Sequence, residues 1–189
     1  MLCLSPHLLI ASARSLVGTG FVPGAPDPAP AVPGEARASW DLTFIQHCGH
    51  WSHRDPITGE SSWPIPLGID RADLPTFGSV RGILHETPES GDIFIQYGPS
   101  RKAYVHVGIV MAVLRSGRYD PKTPYHDLYT VEGDTGPFGQ LHGGLTLRVR
   151  RRLRPAAGDC FLRWVELDAC AHRIAESLYI PAPSNMRAA

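Results

Sequence analysis

The chain has 189 residues, with 18 Lys+Arg against 18 Asp+Glu and no formal net charge at pH 7. That length suits one domain with a core of its own. The balanced charge argues neither for nor against nucleic acid, and 43% hydrophobic with 19% charged residues is ordinary for a soluble globular chain. Four cysteines, Cys3, Cys48, Cys160 and Cys170, show no C-x-x-C spacing, so they resemble neither a zinc ribbon nor a disulfide framework. No apolar run approaches the ~20 residues that cross a bilayer.

Met1 to Ala11 has a short apolar core with no basic residue ahead of it, which makes a poor secretory signal. The unpaired cysteines also fit the cytoplasm better than export, and the compartment stays open. Leu8 to Val17 reads as a short helix stopped by Gly18. Phe21 to Pro33 carries five prolines, Pro23, Pro26, Pro28, Pro30 and Pro33, and is a surface loop or a linker from a helical arm. A second helix begins at Ser39-Trp40-Asp41, with Leu42, Phe44, Ile45, Cys48 and Trp51 as its apolar face. Gly59 to Pro66 is a turn-rich break, and Arg71 to Val80 holds a third helix made irregular by Pro75 and Gly78.

After Gly82 the pattern turns to strands. Asp92 to Tyr97, Ala103 to Leu114, Asp127 to Glu132, Leu145 to Leu153 and Cys160 to Leu167 follow one another. Gly98-Pro99, Gly117 and Gly143-Gly144 in the links suit antiparallel neighbours. Helices first and a strand meander after them predict an α+β fold, with N-terminal helices packed on one antiparallel sheet or half-barrel. Residues 1–37 then form an N-terminal helix and Pro-rich loop, 38–167 the domain core, and 168–189 a short helix with a frayed tail.

The chemistry begins at Tyr104-Val105-His106-Val107-Gly108-Ile109-Val110 and Thr130-Val131-Glu132-Gly133-Asp134-Thr135. A histidine within an apolar strand needs partners for its ring nitrogens: a backbone carbonyl would make it a core residue. A carboxylate such as Glu132, brought beside it by an antiparallel sheet, would instead orient it and free its other nitrogen as a base.

These segments, with Gly91-Asp92-Ile93-Phe94-Ile95 ahead of them, resemble the core of the CHAP family. Those are cysteine, histidine-dependent amidohydrolases and peptidases of papain-like fold, related to the NlpC-type cell-wall peptidases. The order of helix, glycine-aspartate strand, histidine strand, acidic strand and final strand matches over roughly residues 8 to 167. The resemblance implies hydrolysis of amide bonds in peptidoglycan cross-bridges, with a thiolate as nucleophile, His106 as base and Glu132 as orienter. It also implies a peptide or glycan groove, with Trp40 and Tyr104 as candidate lining, and no cofactor or metal. In that family the nucleophilic cysteine opens a helix after a tryptophan or small polar residue and before an aromatic-aliphatic pair. Trp40-Asp41-Leu42-Thr43-Phe44-Ile45 has that shape, but the nucleophile position holds Asp41.

Two readings follow. One is a catalytically silent domain that keeps a peptide- or glycan-binding groove, with a peptidoglycan peptide or another peptide or amide as its ligand. The other is an active peptidoglycan amidase or endopeptidase using Cys48, or using Asp41 through water or a metal. Cys48 lies seven residues on, about 10 Å further along a helix axis, and lacks the helix N-terminus that lowers a thiol's pKa. Aspartate at a helix start is also simply a good partner for free N–H groups.

Three further features have ordinary explanations beside functional ones. His47, His50 and His53 with Cys48 resemble a metal cluster, but spacing of three and six residues converges only if the helix ends near Gly49. A histidine-rich helix C-terminus favoured by the dipole is the alternative. Arg148-Val149-Arg150-Arg151-Arg152-Leu153-Arg154 lacks interleaved aromatics, which argues against nucleic acid and for a charged solvent face blunting a sheet edge. Trp51, Trp63, Tyr97 and Tyr104 are either groove or core.

Overall fold

The computed structural model describes residues 4–19, 40–114, 125–136 and 145–167. The Pro-rich stretch from Phe21 to Pro33, the turns at Gly117 and Gly143-Gly144, Cys3, Cys170 and the segment from Asp168 lie outside the described residues. Three helices pack on a six-stranded antiparallel open sheet: α1 (Pro6–Ser15), α2 (Asp41–Ser52), α3 (Leu74–Arg81), β1 (Leu84–His85), β2 (Ile93–Gly98), β3 (Ala103–Leu114), β4 (His126–Thr135), β5 (Leu145–Leu153) and β6 (Cys160–Leu162).

Helix α1 starts two residues before the expected Leu8, because Pro6 is tolerated where no intrahelical N–H is needed. Its Leu9 and Ala13 are fully buried in the main core, so it belongs to the body of the fold and is not an appended arm. Gly49 does not end α2, which runs on to Ser52. The expected third helix is split into a 3-10 turn over Arg71–Asp73 and α3, which Gly82 stops in the left-handed conformation.

Strand order is β1-β6-β2-β3-β4-β5. The sequential meander holds from β2 to β5. The last strand instead crosses back to pair with β2 and β1, on the far side of the sheet from β5. It is also shorter than expected: after Leu162 the chain turns inward, and the Trp164 indole N–H donates to the Gly91 carbonyl at 2.8 Å. The two-residue β1 has no alternation for a sequence to display.

The sheet buries both faces. Ile93, Ile95, Val107, Ile109 and Val131 pack against Leu9, Phe44, Ile45, Cys48, Trp63 and Trp164 on the helix side. A smaller cluster of Phe94, Val110, Leu128, Leu153 and Phe161 forms on the other. β5 is an edge strand, and Gly18 and Thr19 exchange backbone hydrogen bonds with Thr146 near its start. Arg148, Arg150 and Arg152 are exposed along it, as a protective charged edge requires. Arg151 points the other way, with only 13% of its side chain exposed.

Candidate functional site

Local irregularities of the sheet aim the site. Opposite Gln96 and Tyr97 of β2 stand His106 and Tyr104, so Val105 is an extra residue in β3 immediately before the histidine. Opposite Leu147 and Leu145 of β5 stand Glu132 and Thr135, so Gly133 and Asp134 face Thr146 alone, immediately after the glutamate. Bulges of this kind bend a strand and redirect the neighbouring side chain. Two glycines make the room. A Cβ on Gly108 would lie 2.8 Å from Glu132 Cγ and 2.5 Å from the Phe94 ring, and one on Gly133 would lie 2.6 Å from Phe44 Cβ. Gly108 lets Glu132 approach β3, and Gly133 lets the first turn of α2 sit directly on β4.

Asp41, His106 and Glu132 come together, all at most 1% exposed. His106 Nδ1 is 2.9 Å from Asp41 Oδ2, and His106 Nε2 is 2.9 Å from Glu132 Oε2. Asp41 Oδ2 also accepts from Arg71 Nη1 at 2.7 Å and from the Val107 amide at 3.1 Å, while its Oδ1 accepts from the Leu42 amide at 2.8 Å. The β3–β4 pairing runs from Ile109↔Val131 to Leu114↔Asp127, and the Val107 amide lies beyond its end. Glu132 is gripped by Arg151, whose Nε reaches Oε1 at 2.8 Å and whose Nη2 reaches Oε2. The hydroxyl of Thr130 donates to Oε1 at 2.5 Å.

The donors fix the protonation state. Asp41 Oδ2 already accepts from a guanidinium and an amide, and Glu132 Oε2 accepts from a guanidinium. Both are acceptors toward His106, so both ring nitrogens must donate and the ring is an imidazolium. Burial alone would lower the His106 pKa, but the hydrogen bonds and charges of Asp41 and Glu132 outweigh it and hold the group above its usual 6.5. Burial opposes ionisation of Glu132 as well, yet Arg151 and His106 bring it down from 4.5 to about 2. The result is a closed alternation of charge, Arg71–Asp41–His106–Glu132–Arg151. An imidazolium with both N–H groups engaged cannot accept a proton, and an Asp41 oxygen with three donors is a weak nucleophile.

Cys48 is not part of this arrangement. It is fully buried in the main core, and burial pushes its thiol up to about 12, with Ser12 as a hydrogen-bond partner. Trp40 is 6% exposed and packs edge-on to Phe44; Tyr104 packs edge-on to Tyr97 and reaches the site only through its carbonyl, which accepts from Arg71 Nε. Neither lines the cleft beside the site. That cleft, of about 430 Å³, opens on Asp41 and Arg71 and is walled by Leu42, Thr43, Leu67 and Ile69.

The histidine run separates. His53 is buried against Trp63 and Trp164 and accepts from the Ser5 amide, whereas His47 stacks on Trp51. Burial lowers the pKa of all three, and His53 Nδ1 lies 3.1 Å from the Gly49 carbonyl in the last turn of α2. Among the described residues no three His, Cys, Asp or Glu side chains are placed to hold a metal ion.

Two site residues went unrecognised in the sequence. Arg151 was legible by parity: it shares the face of Leu147, Val149 and Leu153, so a charge there points inward and requires a carboxylate. Arg71 had no comparable signal, since it precedes a helix after a turn-rich segment.

Fold and site together define an α+β domain enclosing a carboxylate–imidazolium–carboxylate row. The chain matches no family model, no curated protein and no solved structure.

Proposed function

We propose that this is a papain-like domain of CHAP/NlpC type that no longer hydrolyses amides and binds a peptidoglycan peptide, or a similar peptide, in the cleft beside Asp41. The observation that carries the reading is the 2.9 Å contact of Asp41 Oδ2, at the start of α2, with His106 Nδ1 while Glu132 holds Nε2. In a cysteine hydrolase a thiolate at that helix start pairs with the imidazolium and then attacks the substrate. Asp41 supplies the same negative charge with none of the reactivity. The pair is kept and the reaction is lost. Cys48 does not restore it, because its thiol is buried and both His106 nitrogens are already engaged.

Asp41→Cys is the decisive variant. Its introduced thiol should react with iodoacetamide at pH 7 faster than a free thiol, and His106→Ala in the same background should remove the advantage. Wild-type Cys48 should stay unalkylated until the protein is unfolded. Hydrolysis of peptidoglycan peptides by the wild type, lost in His106→Ala, would overturn the silent reading; an introduced thiol no faster than a free one would overturn the papain-like reading. Retention on purified cell-wall sacculi should fall in Leu67→Glu, since Leu67 is 71% exposed at the cleft and outside the charged row.

A further inference from the structure

The other end of α2 is built differently. Trp51 lies in its last turn and is 67% exposed, whereas Trp40, Trp63 and Trp164 are 6%, 6% and 0% exposed. The His47 ring, one turn earlier, lies nearly parallel to the indole, with 6.3 Å between centroids and 14° between planes. Arg54 follows. Its Nε donates to the Gly59 carbonyl at 2.9 Å, which fixes the guanidinium, and its terminal nitrogens have no hydrogen-bond or ion-pair partner among the described residues.

The loop beyond is braced rather than loose. Asp55 Oδ1 accepts from the amides of Ile57 and Thr58 at 2.8 and 3.0 Å, and the Asp55 amide donates to the Glu60 carbonyl at 2.7 Å. Asp55 is thus held by its own loop and makes no ion pair with Arg54, although the two line the same cleft. Two clefts meet here. One of about 470 Å³ is lined by Trp51, Arg54, Ile57, Thr58 and, on the loop, Asp55, and one of about 260 Å³ by His47, His50, Trp51, Arg54 and Ser61. His50 Nε2 is enclosed and has no hydrogen-bond partner among the described residues, a condition that native structures rarely leave unexplained. Burial lowers the pKa of His47 and His50, so Arg54 is the positive charge of the cleft.

We propose that this double cleft is a binding site for a small ring-bearing anion, its ring face on Trp51 and its carboxylate or phosphate on Arg54. An exposed indole stacks on flat or pyranose rings, and a guanidinium fixed through Nε presents its remaining N–H groups as a fork for two anionic oxygens. The site stands apart from the one proposed above: Trp51 lies ten residues along α2 from Asp41, about 15 Å at the α-helical rise.

The structure supplies its own reporter, because Trp51 is the exposed indole. The full chain, labelled with ¹⁵N, is titrated with glucuronate and with AMP, and in parallel with glucose, adenosine and acetate, following the indole N–H signals. Glucuronate or AMP should shift the Trp51 signal saturably, while the neutral rings and acetate leave it in place at equal concentration. The choice between those two assigns the anion as carboxylate or phosphate. Arg54→Gln should weaken the binding by about ten-fold or more, as loss of a charge-assisted fork predicts, and Trp51→Ala should abolish it by a competition readout. An unmoved Trp164 signal shows that each variant is folded. Failure of both anions to shift Trp51, or equal shifts by acetate or in Arg54→Gln, would overturn the proposal.

Discussion

The two ends of α2 hold similar residue types in opposite conditions. At its start, Asp41, His106, Glu132, Arg71 and Arg151 form a buried row in which each charge faces its opposite. At its finish, Arg54, His47, His50 and Trp51 surround open clefts, where, among the described residues, the guanidinium makes no ion pair and one imidazole nitrogen has no hydrogen-bond partner. The difference teaches how a ligand would have to be held at each end. A group whose valences are filled from within stabilises and orients, leaving binding to the cleft walls around it; a group left short can take a ligand's charge itself.

The contrast can be broken most forcefully at Glu132. Glu132→Ala leaves an imidazolium and a guanidinium buried without their carboxylate, and the unfolding free energy in urea should fall by about 3–5 kcal/mol. The pH dependence sharpens the point. The folded pKa of Glu132 is depressed from 4.5 to about 2, so its contribution is present above 4.5 and is lost as pH falls through about 2. A displacement of that size is worth roughly 3 kcal/mol. His106 runs the other way: its folded pKa is raised, so its contribution is full below 6.5 and is lost as pH rises through the folded value. Urea melts from pH 2 to 9 should therefore show the row at its strongest between 4.5 and 6.5, and Glu132→Gln should flatten the acid limb.

A smaller effect is expected from Gly133→Ala, whose new methyl would meet Phe44 Cβ at 2.6 Å and Trp40 at 2.7 Å. Overpacking of this kind costs about 1–3 kcal/mol, and it should lift the start of α2 enough to weaken the Asp41–His106 contact, seen as a lower His106 pKa by NMR titration. The smallest effect belongs to the open end. Arg54→Gln should change stability by no more than about 0.5 kcal/mol; a large loss there would mean that Arg54 is structural and that the contrast is false.

Much of the buried row was legible in the sequence. His106 inside an apolar strand and Glu132 before a glycine announced themselves by being charged where the alternation wanted apolar residues, and Asp41 by following a tryptophan at a helix start. Arg151 carried the same signal in β5, but the run of arginines around it disguised the parity. Arg71 and the cleft walls could not be read, because they join the site through a turn-rich segment whose path depends on tertiary packing. The span of β3 was set by its long apolar run and that of β5 by its alternation. The return of β6 to β2 was not, since three buried residues in a row carry no information about which neighbour they pair with.

That return has a consequence for the order of events during synthesis. β6 pairs with both β1 and β2, although its residues are made after β5. Until Cys160 to Leu162 have been added, that side of β2 has no partner strand, and an unpaired strand edge carrying Ile93, Phe94 and Ile95 invites pairing with other chains. Completion of the sheet is thus a late, long-range closure, and the segment that performs it acts as the molecule's own protection against aggregation.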